Sequence, residues 1–352
     1  MKERAMKARA AALLTAALCA GVPAAHAAAA AGPDLIKAAI KGDVAQARAL
    51  LAGGAPVNAP DKDGKTALWE AARHDKADVV VLLLEHEARL DLADKSGDTP
   101  LFQAARKGSA RVIDLLLRAG ALGGARSRAG ETLLMAAAGS GKAEAVQRVL
   151  ELGGDVDAED AGGETALFEA ARSGSGAAVA ALVEAHARVD FFSARNLTPL
   201  MVAAQGSADD AVRALLAAGA QPDLRNERER NWTALMYAAK TGTGAVADTL
   251  AAAGACLEAE DAFRETPLHI AVRFGNASVV HTLVTRGAVV NRPGGDGRTP
   301  LEMAVEGSDR DLVASLLEGG ACVSREVRER VAAKKDEKMA AVLSGARPCR
   351  HR

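Results

Sequence analysis

Few residues in this chain are spaced for chemistry of their own. Gly139-Ser140-Gly141-Lys142 matches the end of a phosphate-binding loop, in which backbone N–H groups cradle a phosphate that the lysine also reaches. No Ser or Thr follows Lys142, no Gly stands five residues before Gly141, and no strand pattern precedes the segment, so the match ends there. Asp61-Lys62-Asp63-Gly64 with Glu70 fits part of a calcium loop, but Ala59 occupies the place of the first ligand. The histidines form no H-E-x-x-H, and no G-x-S-x-G nucleophile turn is present. The sequence thus reads as non-catalytic, with no cofactor or metal site. What remains is the chemistry of recognition, carried by basic and aromatic side chains, and three thiols (Cys256, Cys322 and Cys349) beyond the N-terminal segment.

The composition limits what can hold such residues in place. Of 352 residues 49% are hydrophobic, but only 3% are aromatic, and roughly a quarter are alanine, well above average usage. A core built on large rings is excluded, and many thin layers of Ala, Leu and Val are expected instead. Charged residues make up 25% and the formal charge is −1, which argues against disorder, a polytopic membrane protein and a general nucleic-acid binder. Four cysteines do not make a disulfide scaffold.

Residues 1–9 carry Lys2, Arg4, Lys7 and Arg9, an apolar stretch runs from Ala10 to Val22, and Ala25-His26-Ala27 offers small residues before Ala28. This is the layout of a bacterial secretory signal peptide over 1–27. Gly21 and Pro23 interrupt a weakly apolar run that would serve poorly as an anchor, and Leu18 before Cys19 does not suit a lipid-attachment site. Cleavage removes four basic residues and one acid, leaving a formal charge of −4. The expected location is the periplasm or the secreted medium.

A 33-residue period organises the rest. Thr recurs at 66, 99, 132, 165, 198, 233, 266 and 299, with a single step of 35 between Thr198 and Thr233. Leu follows each Thr by two residues and Ala by five, and Pro33, Leu35 and Ala38 extend the register backward. A Thr hydroxyl can cap a new helix, and Pro at 100, 199, 267 and 300 stands where a missing N–H costs nothing. Gly or Ser nine residues on marks a loop, a second helix carries pairs such as Leu83-Leu84, and Gly54, Gly120, Gly153, Gly219, Gly254, Gly287 or Gly320 ends it. Glu87 and His186 replace that glycine, at about 1 kcal/mol each if the left-handed conformation is kept.

These rows resemble the ankyrin repeat, Asp-x-x-Gly-x-Thr-Pro-Leu-His-x-Ala, from about Pro33 to Cys322. The resemblance implies an all-α fold, an ankyrin-repeat solenoid of about nine helix-turn-helix repeats with hairpin-like turns. The family's His appears once, as His269; Trp69, Phe102, Met135, Phe168, Met201, Met236 and Glu302 fill that slot elsewhere, first of all as packing between repeats. The expected organisation is a leader (1–27), a short linker (28–32), the repeat array (33–323), C-terminal capping helices (324–345) and a tail (346–352). Projecting the register onward puts Ala332 at the next Thr position.

The resemblance also implies protein binding, through residues at the turn tips and the ends of the first helices. Those slots lie four, three and one residue before the Thr and seven and eight after it. In the first two full repeats they hold Lys62, Lys65, Arg73, His74, Lys95, Arg106 and Lys107, a basic stripe suited to steering an acidic partner. Around Thr233 and Thr266 they hold Arg230, Trp232, Lys240, Phe263, Arg273 and Phe274, beside a two-residue insertion within Arg225–Asn231. Trp and Arg are common interface anchors; the competing reading is that these rings pack on neighbouring turns. The expectation is a monomer that binds a protein partner, with no nucleic acid and no membrane span once the leader is removed. Its action would be to inhibit, protect or scaffold a periplasmic protein. The alternative is a secreted effector or surface protein acting on a host, a class that usually lacks an ordinary secretory leader.

Cys256 and Cys322 occupy the same slot two repeats apart, about 20 Å by helix-layer spacing, beyond disulfide reach. Cys349 follows a helix pair that could return the chain to Cys322, so either a Cys322–Cys349 disulfide or three free thiols fits the sequence. Intact-mass measurement on the exported protein should find a chain starting at Ala28. A full-length cytoplasmic species, or a lipid on Cys19, would overturn the leader reading.

Overall fold

The computed structural model describes residues 31–124 and 126–349, so the leader at 1–27, most of the 28–32 linker and the end of the tail lie outside the described residues. Among the described residues the chain forms twenty helices and no strand, and it groups into two compact units. Unit 1 comprises the described residues to Ser140 and Gln147–Gly154; unit 2 comprises Gly141–Val146 and the chain from Asp155 onward.

Unit 1 holds first helices α1 (Gly32–Lys41), α3 (Ala67–Arg73), α5 (Pro100–Lys107) and α7 (Leu133–Gly139). They alternate with second helices α2 (Val44–Ala52), α4 (Ala77–Glu85) and α6 (Ala110–Arg118). Helix α8 (Ala143–Leu150) has residues in both units. In unit 2 the first helices are α9 (Ala166–Ser173), α11 (Pro199–Gln205), α13 (Ala234–Thr241), α15 (Pro267–Arg273) and α17 (Pro300–Glu306). The second helices are α10 (Gly176–Glu184), α12 (Asp209–Ala217), α14 (Gly244–Ala252), α16 (Ala277–Thr285) and α18 (Arg310–Glu318), followed by α19 (Arg325–Ala333) and α20 (Glu337–Leu343).

Each row of the sequence has its place in this packing. First helices lie on first helices (α1 on α3, α3 on α5, α5 on α7; α9 through α17 in succession), and second helices on second helices. The seam between first helices is filled by the Leu and Ala rows: Leu68, Leu101, Leu134, Leu167, Leu200, Leu235, Leu268 and Leu301 are all buried, as are the alanines three residues beyond them. A methyl group is all the gap admits, which is why a chain with so few aromatic residues can still close its core. The capping role of Thr is met at Thr66, Thr99, Thr132, Thr198 and Thr299, whose side chains accept from the backbone three residues on. Thr165 and Thr233 depart from it. There the N–H of Phe168 or Met236 donates to the Thr carbonyl in a tighter first turn, and the buried hydroxyl has no hydrogen-bond partner.

The turns are built by side chains acting on local backbone. Asp61 Oδ1 accepts from the N–H groups of Asp63 and Lys65 at 2.8 and 2.9 Å, so the residue that began the partial calcium motif is occupied by its own turn. Asp94, Asp160 and Asp261 repeat the arrangement. Neighbouring tips then bond to one another, as in Lys95 N to Asp63 O at 3.0 Å and Gly295 N to Phe263 O at 3.0 Å. A further row ties successive repeats at the other end of the turn. Asn58 accepts from Arg89 N, Asp157 from Arg188 N, Asp223 from Cys256 N and Asn291 from Cys322 N, each spanning 31 or 33 residues.

The C-terminal helices lie within the expected 324–345 segment and leave the 33-residue register: Ser324 caps α19, accepting from Val327 N, and Asp336 caps α20. Cys322 and Cys349 are joined in a disulfide with Cα atoms 4.8 Å apart, flanked by backbone bonds from Val323 N to Arg347 O and from Cys349 N to Val323 O. Among the described residues Cys256 is free and exposed.

At the helix ends, glycines 54, 120, 153, 219, 254, 287 and 320 all have positive φ, and Glu87 and His186 share the conformation at φ 59° and 67°. Among the described residues neither side chain has an ion-pair partner that would offset this strain. Glu87→Gly and His186→Gly are each expected to stabilise the chain by about 0.5–1 kcal/mol, the backbone strain relieved less the entropy glycine adds to the unfolded chain. Chemical denaturation followed by helical circular dichroism measures this; a lower midpoint for both variants would contradict it.

Candidate protein-binding site

The residues of the candidate slots fall into those spent on holding the repeats and those left over. In most of the repeats the position before the Thr and the position seven after it face one another. In unit 1, the buried Asp98 accepts from Gln103 at 3.0 Å and lies 3.5 Å from Arg106, which also pairs with Glu131 of the next turn. In unit 2, Glu164 pairs with Arg172 and with Arg195. Burial pushes the Glu164 carboxyl up, but the hydrogen bonds and charges of the two guanidinium groups outweigh it and hold the pKa below the usual value. Arg273 pairs with Glu265 in the same way. In the last full repeat the roles are exchanged, with Arg298 before the Thr and Glu306 after it.

Two repeats replace this ion pair by a ring. Lys65 and Arg73 carry like charges, and both lie over Trp69, at 5.2 and 5.5 Å from the ring centroid. Trp69 is itself buried, and its Nε1 donates to Asp98 O at 3.0 Å. In the Thr233 repeat the ring is Trp232, with Lys240 Nζ 5.4 Å from its centroid.

Trp232 therefore has to be corrected as a contact residue. It is 3% exposed, its Nε1 donates to Asp261 Oδ2 at 3.2 Å, and it meets Tyr237 edge-to-face at 5.3 Å. The reason is the two-residue insertion. The longer tip closes through Asn226 N to Trp232 O at 2.8 Å and folds Glu229 back, where it accepts from the Tyr237 hydroxyl at 2.7 Å. Asn226 Nδ2 donates to the same hydroxyl at 2.9 Å. Burial, then Glu229, pushes the Tyr237 hydroxyl pKa upward. Insertion, tryptophan and tyrosine form one internal support, as the packing alternative anticipated for this ring.

Phe263 and Phe274 behave differently, at 55% and 47% exposed. Arg230 lies over Phe263 at 4.7 Å, and Lys240 Nζ is 5.6 Å from the Phe274 centroid. The sister repeats supply an internal control. Three residues before the Thr they hold Asp63, Ser96, Ala129, Gly162, Arg195 and Asp296, and eight after it His74, Lys107, Ser140, Ser173, Gly206, Thr241 and Gly307. Only the Thr266 repeat places a large apolar side chain in either row. The tip carrying Phe263 is pinned by its neighbour, since a Cβ on Gly295 would lie 2.2 Å from Phe263 O.

In unit 1, Lys62, Lys95 and Lys107 are exposed and unpaired among the described residues, whereas Lys65, Arg73 and Arg106 are engaged as described and His74 lies 3.4 Å from the buried Glu70. Arg128 extends the slot of Lys62 and Lys95 to a third tip, a continuation that reading only two repeats missed although the 33-residue step shows it. His269, the family's histidine, is fully buried against the Thr266 hydroxyl at 2.8 Å, and burial lowers its pKa. Among the described residues no cluster of His, Cys, Asp or Glu is placed to hold a metal ion, and no helix is long and apolar enough to cross a membrane.

Repeating helix pairs, hairpin-like turns and slots facing outward from the tips define a repeat scaffold for binding. The profile described as ankyrin repeats, three copies long, matches residues 35–126, 121–193, 187–261 and 253–326. The chain belongs to the ankyrin-repeat family, a protein–protein interaction fold. No curated protein sequence matches it significantly.

Trp232→Ala is expected to cost about 3–5 kcal/mol of stability through the cavity it leaves, whereas Phe274→Ala should stay within about 0.5 kcal/mol, as surface changes do. Denaturant titration of the two variants decides it; equal losses would return Phe274 to the core.

Proposed function

We propose that this protein is a non-catalytic binding module of the periplasm, or of the secreted fraction, that recognises a periplasmic protein or enzyme and modulates it by inhibition, protection or scaffolding. The observation that carries this reading is the pair Phe263 and Phe274. Fully burying a phenylalanine is worth about 1.5–3 kcal/mol, and here two of them are left about half uncovered in rows that every sister repeat fills with polar or small residues. Folding gains nothing from that choice, while a partner covering both rings gains the area. Arg230 and Lys240 beside them supply charge, and the unpaired Lys62, Lys95 and Lys107 of unit 1 supply steering toward an acidic partner. The signal-like N-terminus supports export. The Cys322–Cys349 disulfide is consistent with an oxidising compartment.

Mature protein immobilised and exposed to periplasmic extract should retain a partner that a Phe263→Ser, Phe274→Ser variant loses by about tenfold or more in titration with the purified partner. Lys107→Ala should mainly slow association, with the effect fading at high salt. Saturable capture that the double variant leaves unchanged would remove these rings from the site. No saturable capture at all would overturn the binding-module reading.

A further inference from the structure

Beside Phe263 the turn tips of unit 2 enclose a cleft of about 520 Å³, lined by Arg230, Phe263, Arg264, Glu265, Arg273 and Asp296 among others. Its charges are unevenly compensated. Glu265 is buried and already paired with Arg273, and Asp296 is held by Arg298, whose hydrogen bond keeps that carboxyl below its usual pKa. Arg264 lies 3.5 Å from Glu260, but Glu260 has a closer partner in Arg292. Among the described residues Arg230 has no carboxylate within ion-pair distance; its guanidinium lies on the Phe263 ring instead. An arginine stacked on an aromatic face keeps its edge N–H groups for a planar anion, which they can grip in a two-pronged fashion.

Resting on the binding-module reading, we infer that this cleft takes a carboxylate side chain of the partner and that Phe274 takes a large apolar side chain close to it in the same segment. The occupant is therefore an acidic–hydrophobic protein segment. Its acid meets Arg230 and Arg264 over Phe263, and its apolar residue covers Phe274 beside Lys240. Two observations favour a protein segment over a small free anion. The exposed apolar area of two phenylalanines gains nothing from an inorganic ion, and Lys240, without an acidic partner, stands on the Phe274 ring, where a second acid of the segment can reach it. The cleft is large enough for a side chain and open to solvent, on a tip that Gly295 N bonds through Phe263 O.

The test is selection of a random displayed peptide library on the immobilised full chain, followed by anisotropy titration of the enriched peptides. Enriched sequences should carry Asp or Glu within a few residues of Phe, Trp or Leu. Arg230→Asn, a residue that accepts the left-handed backbone at this position (φ 56°), should weaken them about tenfold or more, as should Phe263→Ala and Phe274→Ala. Lys62→Ala in unit 1 should leave them unchanged, and helical circular dichroism should match wild type throughout. Enriched peptides without an acid, binding indifferent to Arg230 and Phe263, displacement by inorganic phosphate as effective as by peptide, or no enrichment over a blank surface would each overturn the inference. If the periplasmic partner is still captured in any of those cases, the binding-module reading stands and only this cleft is wrong. If nothing is captured either, both fall.

Discussion

A single helix pair of this protein cannot bury its own apolar face. Each first helix is seven to ten residues long, too short to be stable alone, and the leucine two residues after its Thr and the alanine five after it point at the next pair. Every other feature follows from having to place an identical surface 33 residues further along the chain. The alanines must be alanines because the helices meet through them. The turns must be stiff because the register of one pair sets that of the next. Hence the aspartates that bond their own turn, the tip-to-tip backbone bonds, and the Asn and Asp side chains that reach the following repeat.

The same demand explains the latch between the residue before the Thr and the residue seven after it. In the repeats of Thr99, Thr165, Thr233, Thr266 and Thr299 it closes the turn onto the end of the first helix, and different chemistry serves. Glu164 with Arg172 and Glu265 with Arg273 use an ion pair, Arg298 with Glu306 the reverse pair, and Trp232 with Lys240 a ring and a cation. Exposed ion pairs are worth little singly, but Glu164 and Glu265 are buried and each has its cation at hand. The interchange of charge across one latch shows that its geometry, and not the identity of either residue, is what the repeat requires.

The proposed recognition surface is what this scaffold leaves uncommitted. A basic residue in a tip slot is not by itself a contact group, because Arg106, Arg172 and Arg273 are spent on the scaffold. The candidate surface reduces to groups whose partners are missing or aromatic: Phe263, Phe274, Arg230 and Lys240 in unit 2, and Lys62, Lys95 and Lys107 in unit 1.

The sequence alone determined the repeat unit, its helix boundaries and the left-handed helix ends including Glu87 and His186. All of these are local or strictly periodic, so spacing reveals them. The row of Asn58, Asp157 and Asp223 was equally periodic and went unread, since its meaning lies in a bond to the next repeat. The tertiary structure decided what spacing cannot. It buried Trp232, because two inserted residues let Glu229 and Asn226 fold over Tyr237. It joined Cys322 to Cys349, a pairing the sequence had left open. It also sorted the cations into paired and unpaired. Whether a charge is free depends on which side chain lies within a few ångströms across neighbouring turns, and that is a property of the packing rather than of the order of residues along the chain.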